Sequence, residues 1–221
     1  MAEKYPLIIF SNLKDTVDIT SKTLAGTPFG LAGITDSFIN ARTLLSQYAP
    51  EFLLIHLNES CQDTIVLVQR LKTVSPRTRI LVIPNSWDCN SVFDTIRAGA
   101  DVIIPDRVEL SKLPRILQTL LDDEIYMPCF VASSLLERSR QENQSPSEFP
   151  FLLTDKEKEI LELFSQGNRP ETIAETLDLS RELVRGHANN IIKKIHFVDI
   201  ARKQYEEIMS GLSGYHTHFK Y

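Results

Sequence analysis

Residues Leu153–Ile195 read LTDKEKEILELFSQGNRPETIAETLDLSRELVRGHANNIIKKI. The pattern predicts three short helices with a compact turn between the second and the third. Thr154 caps the first helix, whose apolar residues recur at helical spacing, and Gly167 ends it. Pro170 begins the second helix and Ser180 caps the third. Two helices joined by so tight a turn are typical of a domain that reads DNA.

The third predicted helix has one apolar stripe, because four apolar residues stand at i, i+4, i+7 and i+11: Val184, Ala188, Ile191 and Ile195. At about 100° per residue, the opposite face carries Glu182, Arg185, Gly186, Asn189 and Lys193, with His187 and Asn190 along the flank. Arginine and asparagine side chains on such a face can reach guanine and adenine edges in a major groove.

Gly186 is unfavourable in a helix by about 1 kcal/mol relative to alanine. One interpretation is that the missing side chain lets the helix backbone lie closer to DNA, and the other is that the glycine is simply tolerated. Charge favours the first interpretation. Residues 153–180 carry three Lys or Arg against seven Asp or Glu, a net charge of −4, whereas residues 181–203 carry six against two, a net charge of +4. The basic charge therefore coincides with the helix selected by periodicity.

The segment resembles the DNA-binding domain of NarL/LuxR-type bacterial transcription regulators. The family pattern LTxxExxIL...G...xxIAxxLxxSxxxVxxHxxNIxxKL is matched by Leu153, Thr154, Glu157, Ile160, Leu161, Gly167, Ile173, Ala174, Leu177, Ser180, Val184, His187, Asn190, Ile191, Lys194 and Ile195. The resemblance implies a four-helix domain whose third helix enters the major groove, with Arg185, His187 and Asn190 at positions that the family uses for DNA. It also implies a fourth helix over 199–209, which often forms the dimer contact in such proteins.

Four residues depart from the family pattern: Arg169, Glu171, Asp178 and Leu183. Leu183 stands where threonine is usual and Asp178 where glycine is usual. Acidic residues near a phosphate-facing turn repel DNA, so weaker affinity or an unusual preferred sequence is expected.

Composition bounds the rest of the chain. The 221 residues suffice for two domains, with 43% hydrophobic and 24% charged residues and a net charge of −5. The sequence lacks an apolar run of the ~18 residues that span a bilayer and a secretory signal pattern, so a cytoplasmic protein is expected. Three cysteines, Cys61, Cys89 and Cys129, have no paired spacing and favour free thiols over a disulfide framework.

The first 125 residues alternate strand-like and helix-like patterns, which predicts a parallel sheet covered by helices. The predicted strands are Leu7–Phe10, Leu31–Ile34, Leu53–Ile55, Ile80–Ile83 and Val102–Ile104. The predicted helices are Val17–Leu24, Phe38–Tyr48, Thr64–Leu71, Ser91–Ala98 and Leu110–Leu121. The fold class is therefore an α/β flavodoxin-like (βα)5 receiver-like domain followed by a small all-α four-helix helix-turn-helix domain.

This order is similar to a response-regulator receiver domain, and AGAD at Ala98–Asp101 is a phrase common in that family. Alignment on PEFLLIHLN puts His56 at the phosphorylated aspartate, Ser11 and Asn12 at the acidic pair, and Pro84 at the hydroxyl residue. The lysine position falls on Pro105 or Asp106. Aspartyl phosphorylation needs a carboxylate nucleophile and carboxylate-bound Mg²⁺, so the resemblance implies a pseudo-receiver that does not perform it.

His56 has several possible roles: a hydrogen-bonded strand-end residue, a phosphoacceptor, a soft-metal ligand or a pH-sensing group. Cys61 and Cys89 are expected in loops at the same end of the sheet, which makes a redox or metal site with His56 conceivable, although no spacing motif links them. No metal or cofactor is assigned.

The expected domains are a receiver-like domain over 1–125, a connecting helix and flexible linker over 126–150, the helix-turn-helix domain over 151–210 and a tail over 211–221. The connecting helix is predicted over Ala132–Arg138 and the linker over Gln141–Pro150. The tail carries Tyr215, Phe219 and Tyr221, which could dock on a partner.

The chain is expected to be a DNA-binding transcription regulator, not an enzyme, that binds double-stranded DNA as a homodimer. Arg185 and Asn189 are expected to read bases, and the backbone contacts are assigned to His187, Asn190, Lys193 and Lys194. Arg181 is a further expected DNA-binding residue. The receiver-like domain is expected to serve as a dimerisation, partner-binding or ligand-sensing module. Two alternatives are a module that sequesters a protein partner with little DNA affinity and, more remotely, a phosphorylation-driven regulator.

Overall fold

The computed structural model describes residues 5–58, 60–84, 89–105, 107–144 and 151–197. Five parallel strands form one sheet: β1 (Tyr5–Ser11), β2 (Phe29–Thr35), β3 (Phe52–His56), β4 (Arg79–Val82) and β5 (Val102–Ile103). Their spatial order is β2-β1-β3-β4-β5, which is the flavodoxin-like order predicted from the sequence. This fold prediction is confirmed.

Helices cover both faces of the sheet: α1 (Lys14–Leu24), α2 (Phe38–Tyr48), α3 (Cys61–Val74), α4 (Cys89–Arg97) and α5 (Leu113–Leu121). Side chains of β1 alternate between the faces, so that Leu7 and Ile9 enter one apolar cluster while Ile8 and Phe10 enter the other. Both faces are therefore buried, as parallel sheets require.

Four of the five helices predicted in the receiver-like domain begin at other residues, and only α2 begins as predicted. Helices α1 and α4 begin at Lys14 and Cys89. The helix predicted over Leu110–Leu121 is instead a 3₁₀ segment, Arg107–Lys112, followed by α5. Pro114 lies in the first turn of α5, where its missing N–H and fixed φ suit a new helix start. Helix α3 begins three residues before the predicted Thr64, because the Ser60 hydroxyl accepts a hydrogen bond from the Asp63 backbone N–H and caps it.

The connecting helix is longer than predicted. Helix α6 (Cys129–Gln144) includes Gln141–Gln144, which the sequence assigned to the linker. The reason is that Glu142 is buried and its carboxylate accepts a hydrogen bond from Arg138 one turn earlier, which extends the helix. The remainder of the predicted linker, 145–150, lies outside the described residues.

Three helices follow: α7 (Asp155–Ser165), α8 (Pro170–Leu177) and α9, described over 181–197. The expected fourth helix over 199–209 and the tail lie outside the described residues. One apolar cluster joins α4, α6 and this helical domain, and the ring centroids of Phe93 and Phe151 are 5.2 Å apart. The two domains thus share a core through α6, an apolar interface that opposes relative domain motion.

Candidate nucleic-acid interface

A reciprocal pair of hydrogen bonds fixes the start of α7. The Thr154 hydroxyl accepts a hydrogen bond from the Glu157 backbone N–H at 3.3 Å, and the Glu157 carboxylate accepts one from the Thr154 N–H at 2.7 Å. This capping box satisfies two backbone donors that a helix start otherwise leaves without partners. Gly167 adopts a φ of 82° two residues after α7, as expected for a helix-ending glycine.

The turn between α8 and α9 depends on two polar residues. Asp178 ends α8 in the left-handed region with a φ of 53°, a conformation in which glycine meets no steric penalty and aspartate is tolerated. The Leu179 N–H then donates to the Ala174 carbonyl at 2.9 Å. The Ser180 hydroxyl accepts a hydrogen bond from the Leu183 N–H at 3.2 Å and caps α9, as the sequence predicted.

The predicted stripe of α9 is confirmed. Val184, Ala188, Ile191 and Ile195 are all at most 1% exposed. They pack against α7 and α8 in the shared core. This packing fixes the rotation of α9 about its axis. It therefore also fixes which residues the opposite face of the helix presents.

The seven predicted DNA-contacting residues fall into three groups. Asn189, Asn190 and Lys193 are exposed on α9. Arg185 and His187 are half-buried. Arg181 and Lys194 form ion pairs within the molecule.

Lys194 is paired with an acidic residue at the start of α7. Its ammonium lies 2.6 Å from the Glu157 carboxylate and donates to the Leu152 carbonyl at 3.2 Å. Burial alone raises the pKa of Glu157, but the hydrogen bonds from Lys194 and from the Thr154 backbone and hydroxyl outweigh it and leave that pKa below its ordinary value. The ammonium therefore attaches α9 to the start of α7, and its role as a phosphate contact stays a prediction.

Gly186 has open space around it. A Cβ built on this residue would meet no heavy atom within 4 Å, and its φ lies outside the left-handed region. Neither internal packing nor backbone conformation therefore requires a glycine here. The exposed strip of α9 on either side of Gly186 is the candidate interface.

Glu182 lies on this strip, at the N-terminus of α9. Hydrogen bonds from its own backbone N–H and from the Ser180 hydroxyl lower its pKa, with Arg185 and Arg181 adding to the effect. The carboxylate accordingly stays ionised at neutral pH. A negative charge at this position repels phosphate groups.

The receiver-like domain covers one flank of α9. Arg185, Ala188, Asn189 and Ile192 line a cavity of about 460 Å³ together with residues from β5, the end of α5 and the segment that precedes α6. At its rim the Arg181 guanidinium lies 3.3 Å from the Glu124 carboxylate and 2.9 Å from that of Glu171. An acidic side chain of the receiver-like domain, Glu124, therefore forms an ion pair with Arg181, which was predicted to contact DNA.

The residues that the sequence comparison aligned with the receiver phosphorylation site meet at the carboxyl ends of β1 and β3, where Ser11 pairs in register with His56. His56 is 3% exposed, and its Nδ1 lies 2.6 Å from the Thr16 hydroxyl oxygen. The Ser11 hydroxyl accepts a hydrogen bond from the Leu13 N–H, and the Asn12 side-chain oxygen accepts one from the Asn58 N–H at 3.3 Å. The side chains at these positions thus engage neighbouring protein groups.

Pro84 follows β4, and Cys61 begins α3 at the same end of the sheet as His56. The side chain of Cys89 lies outside the described residues. Within the described ranges, no group of three or more His, Cys, Asp or Glu is arranged to hold a metal ion. No helix in that part of the chain is long and apolar enough to cross a membrane.

Sequence reasoning missed three contributors: Thr16, Glu124 and the α6 contact surface. Thr16 could have been found as a polar residue on the inner face of α1. Glu124 had no local signal, because its role depends on contact with Arg181, which is 57 residues further along the chain.

The fold and the candidate interface together define a receiver-like domain followed by a LuxR-type helix-turn-helix domain. Residues 152–201 match the family described as bacterial regulatory proteins, luxR family. The chain thus has the architecture of NarL- and RcsB-type response regulators.

Similar proteins support this assignment. The chain is 26% identical over 150 residues to the nitrate/nitrite response regulator protein homolog of Haemophilus influenzae. The aligned region covers 68% of this chain and 70% of that protein. It is 24% identical over 186 residues to the transcriptional regulatory protein DegU of Brevibacillus brevis, with 78% and 79% covered. The RcsB response regulator of Salmonella typhimurium superposes with a TM-score of 0.54 at 18% identity, covering 88% and 93% of the two chains. RcsB has also been solved as a DNA complex, which superposes with a TM-score of 0.54.

Proposed function

We propose that this protein is a sequence-specific, DNA-binding transcription regulator whose receiver-like domain is not phosphorylated on aspartate. The observation that carries the proposal is the exposed strip of α9, on which Asn189, Asn190 and Lys193 project from a helix anchored by a fully buried stripe. Arginine and asparagine read guanine and adenine edges, and a lysine contacts phosphate. Arg185 and Asn189 are the base-reading residues in this proposal.

The DNA-binding form requires the receiver-like domain to leave the flank of α9. Arg181 is paired with Glu124, and Arg185 and Asn189 face the cavity between the domains. A duplex in contact with Arg185 and Asn189 would occupy the same space as residues 123–128. DNA and the receiver-like domain therefore compete for one face of the helix.

Regulation in this proposal does not use aspartyl phosphate. The residues at the former acceptor and metal positions, His56, Ser11 and Asn12, supply no carboxylate to bind Mg²⁺ or to attack a phosphodonor. The hydrogen bond between Thr16 and His56 further ties up the imidazole. We assign the domain to dimerisation or to sensing a partner or ligand, with the dimer binding two half-sites about one helical turn apart.

The test of DNA recognition is selection from a random double-stranded library with the full chain at low and moderate salt. Enrichment of one motif is expected, and Arg185→Ala is expected to lower affinity for that motif by on the order of 1 to 3 kcal/mol. Arg42→Ala, which removes an exposed arginine on α2, is the matched control and should leave affinity unchanged. An unchanged motif and affinity in Arg185→Ala would remove Arg185 from the reading set.

The test of the receiver-like domain uses acetyl phosphate with Mg²⁺ and intact-mass measurement. The expected result is no phosphoryl addition, with a phosphorylatable receiver as the positive control. A stoichiometric addition that maps to an aspartate would contradict this part of the proposal.

A second candidate function is sequestration of a protein partner. The continuous apolar core across α4, α6 and the helix-turn-helix domain favours it, because that core opposes the domain separation that DNA binding requires. A random library that yields no motif at any salt concentration, combined with a stable docked conformation, would favour this candidate.

A further inference from the structure

Leu183 is an exposed apolar residue on the same flank of α9 as Asn190. Its side chain is 53% exposed in the first turn of the helix, although α9 already buries four other apolar residues in the core. Its neighbours in that first turn, Arg181 and Glu182, are charged and exposed. The leucine therefore lies outside the helix's internal packing, at the position from which recognition helices reach base edges.

Leu183 also lies on the flank of α9 that the receiver-like domain leaves open. The cavity between the domains is lined by Arg185 and Asn189, and Leu183 is not part of that lining. At about 100° per residue, Leu183 projects roughly 160° away from Arg185 around the helix. A contact made by Leu183 thus adds to those of Arg185 and Asn189 and involves different atoms of a ligand in the groove.

Gly186 provides the complementary feature. It follows Leu183 by three residues, so the two positions are neighbours on the helix surface, and a Cβ on Gly186 would meet nothing within 4 Å. The surface therefore presents an apolar side chain beside a stretch of bare backbone. Such a surface admits a flat ligand close to the helix and offers it one apolar contact.

We infer that Leu183 packs against the 5-methyl group of a thymine and makes the preferred DNA sequence depend on that methyl. The inference rests on the proposed DNA-binding function. The thymine methyl is the apolar group that the major groove presents among hydrogen-bonding edges, and apolar side chains recognise it by contact.

The test replaces each thymine of the selected DNA site by deoxyuridine, one position at a time. This change removes only the methyl and preserves base pairing. Wild-type protein is expected to lose affinity about fourfold at one position of each half-site, which corresponds to burial of one methyl-sized group. Leu183→Ala is expected to bind the thymine and deoxyuridine sites equally.

Two further variants make the result specific. Leu152→Ala removes another leucine of the same domain with 54% exposure, and it should keep the wild-type dependence on the methyl. Leu183→Asn keeps a side chain of similar reach without its apolar surface and should lose the dependence. Thermal unfolding of each variant verifies that the domain remains folded.

The possible outcomes separate the inference from the proposed function. If wild-type protein binds its site but no thymine position distinguishes it from Leu183→Ala, the inference is wrong and the DNA-binding proposal stands. If the wild-type chain selects no site from the library, the DNA-binding proposal fails and the inference fails with it. A methyl dependence lost only in the Leu183 variants supports both.

Discussion

The ammonium of Lys194 lies 2.6 Å from the carboxylate of Glu157, and this ion pair joins α9 to the first turn of α7. Glu157 also accepts a hydrogen bond from the Thr154 N–H, so one buried carboxylate caps one helix and orients another. The exposed strip of α9 is thereby positioned by an ion pair to the helix before it.

Glu157→Gln is expected to lower the free energy of unfolding by about 1 to 3 kcal/mol at neutral pH, since it weakens both contacts of a buried group. The folded-state pKa of Glu157 lies below its ordinary value, so its stabilisation is present above about pH 4.3 and is lost as pH falls through the folded-state pKa. The difference from wild type in urea unfolding should therefore shrink in acid.

The matched control is Glu159→Gln on the same helix. Glu159 pairs with Lys156 at the surface, with 50% and 41% of the two side chains exposed, and an exposed pair contributes little. Equal losses in the two variants, or a loss in Glu157→Gln that does not vary with pH, would argue against the role given to Glu157.

Thr16 and Thr20 offer a second comparison, one helical turn apart on α1 and both fully buried. Thr16→Val removes the hydroxyl that is bonded to His56 and is expected to destabilise the protein by about 1 to 3 kcal/mol. The Thr20 hydroxyl has no hydrogen-bond partner among the described residues, so Thr20→Val is expected to be neutral or stabilising. Chemical unfolding of both variants measures the difference, and similar effects from the two substitutions would contradict the importance of the Thr16–His56 bond.

Most of the fold could be predicted from local patterns. The strand order followed from five alternating units, and the α9 stripe followed from spacing alone, because both signals lie within one element or one βα repeat. Helix ends were less predictable where a side chain set them, as at Ser60 and Pro114. Those helix ends depend on a single capping hydrogen bond or on the fixed φ of a proline ring, and hydrophobic periodicity predicts neither.

The relation between the domains could not be predicted. Helix α6 packs apolar residues against both α4 and α7. A sequence pattern predicts that a helix face is apolar, but it does not predict which element packs against that face. The ion pair between Arg181 and Glu124 joins residues far apart in the chain, as does the ion pair between Lys194 and Glu157. Charge and spacing identified the helix that carries the candidate interface, but the contacts of each cation within the molecule depended on the tertiary structure.

Glu124→Gln is expected to raise affinity for the selected DNA site by about twofold to fivefold, because it frees Arg181 from the receiver-like domain. An exposed ion pair contributes up to about 1 kcal/mol, which sets this range. Binding should be measured by fluorescence anisotropy at fixed salt.

Asp122→Asn is the matched control for Glu124→Gln. Asp122 lies in the same acidic run and accepts a hydrogen bond from Gln118 within its own helix, so its removal changes the net charge equally without a contact to α9. If both variants raise affinity to the same extent, general charge and not the ion pair with Arg181 explains the effect.

Gly186→Ala is expected to have opposite effects on stability and on DNA binding. Because the site is open and the backbone is not left-handed, alanine should stabilise the helix by about 1 kcal/mol. The added methyl lies on the strip that faces DNA and would hold the helix away from the base edges, so affinity should fall about tenfold, the loss expected when one bidentate base contact is weakened. Thermal unfolding and anisotropy on the same preparations measure the two effects.

Gly167→Ala is the matched control, because it makes the same chemical change at a residue that is also uncrowded but has a φ of 82°. It should cost about 1 to 2 kcal/mol of stability and leave the DNA affinity of the folded protein unchanged. If Gly186→Ala stabilises the protein and binds DNA as well as wild type does, the glycine is merely tolerated and the close approach of α9 to DNA is wrong.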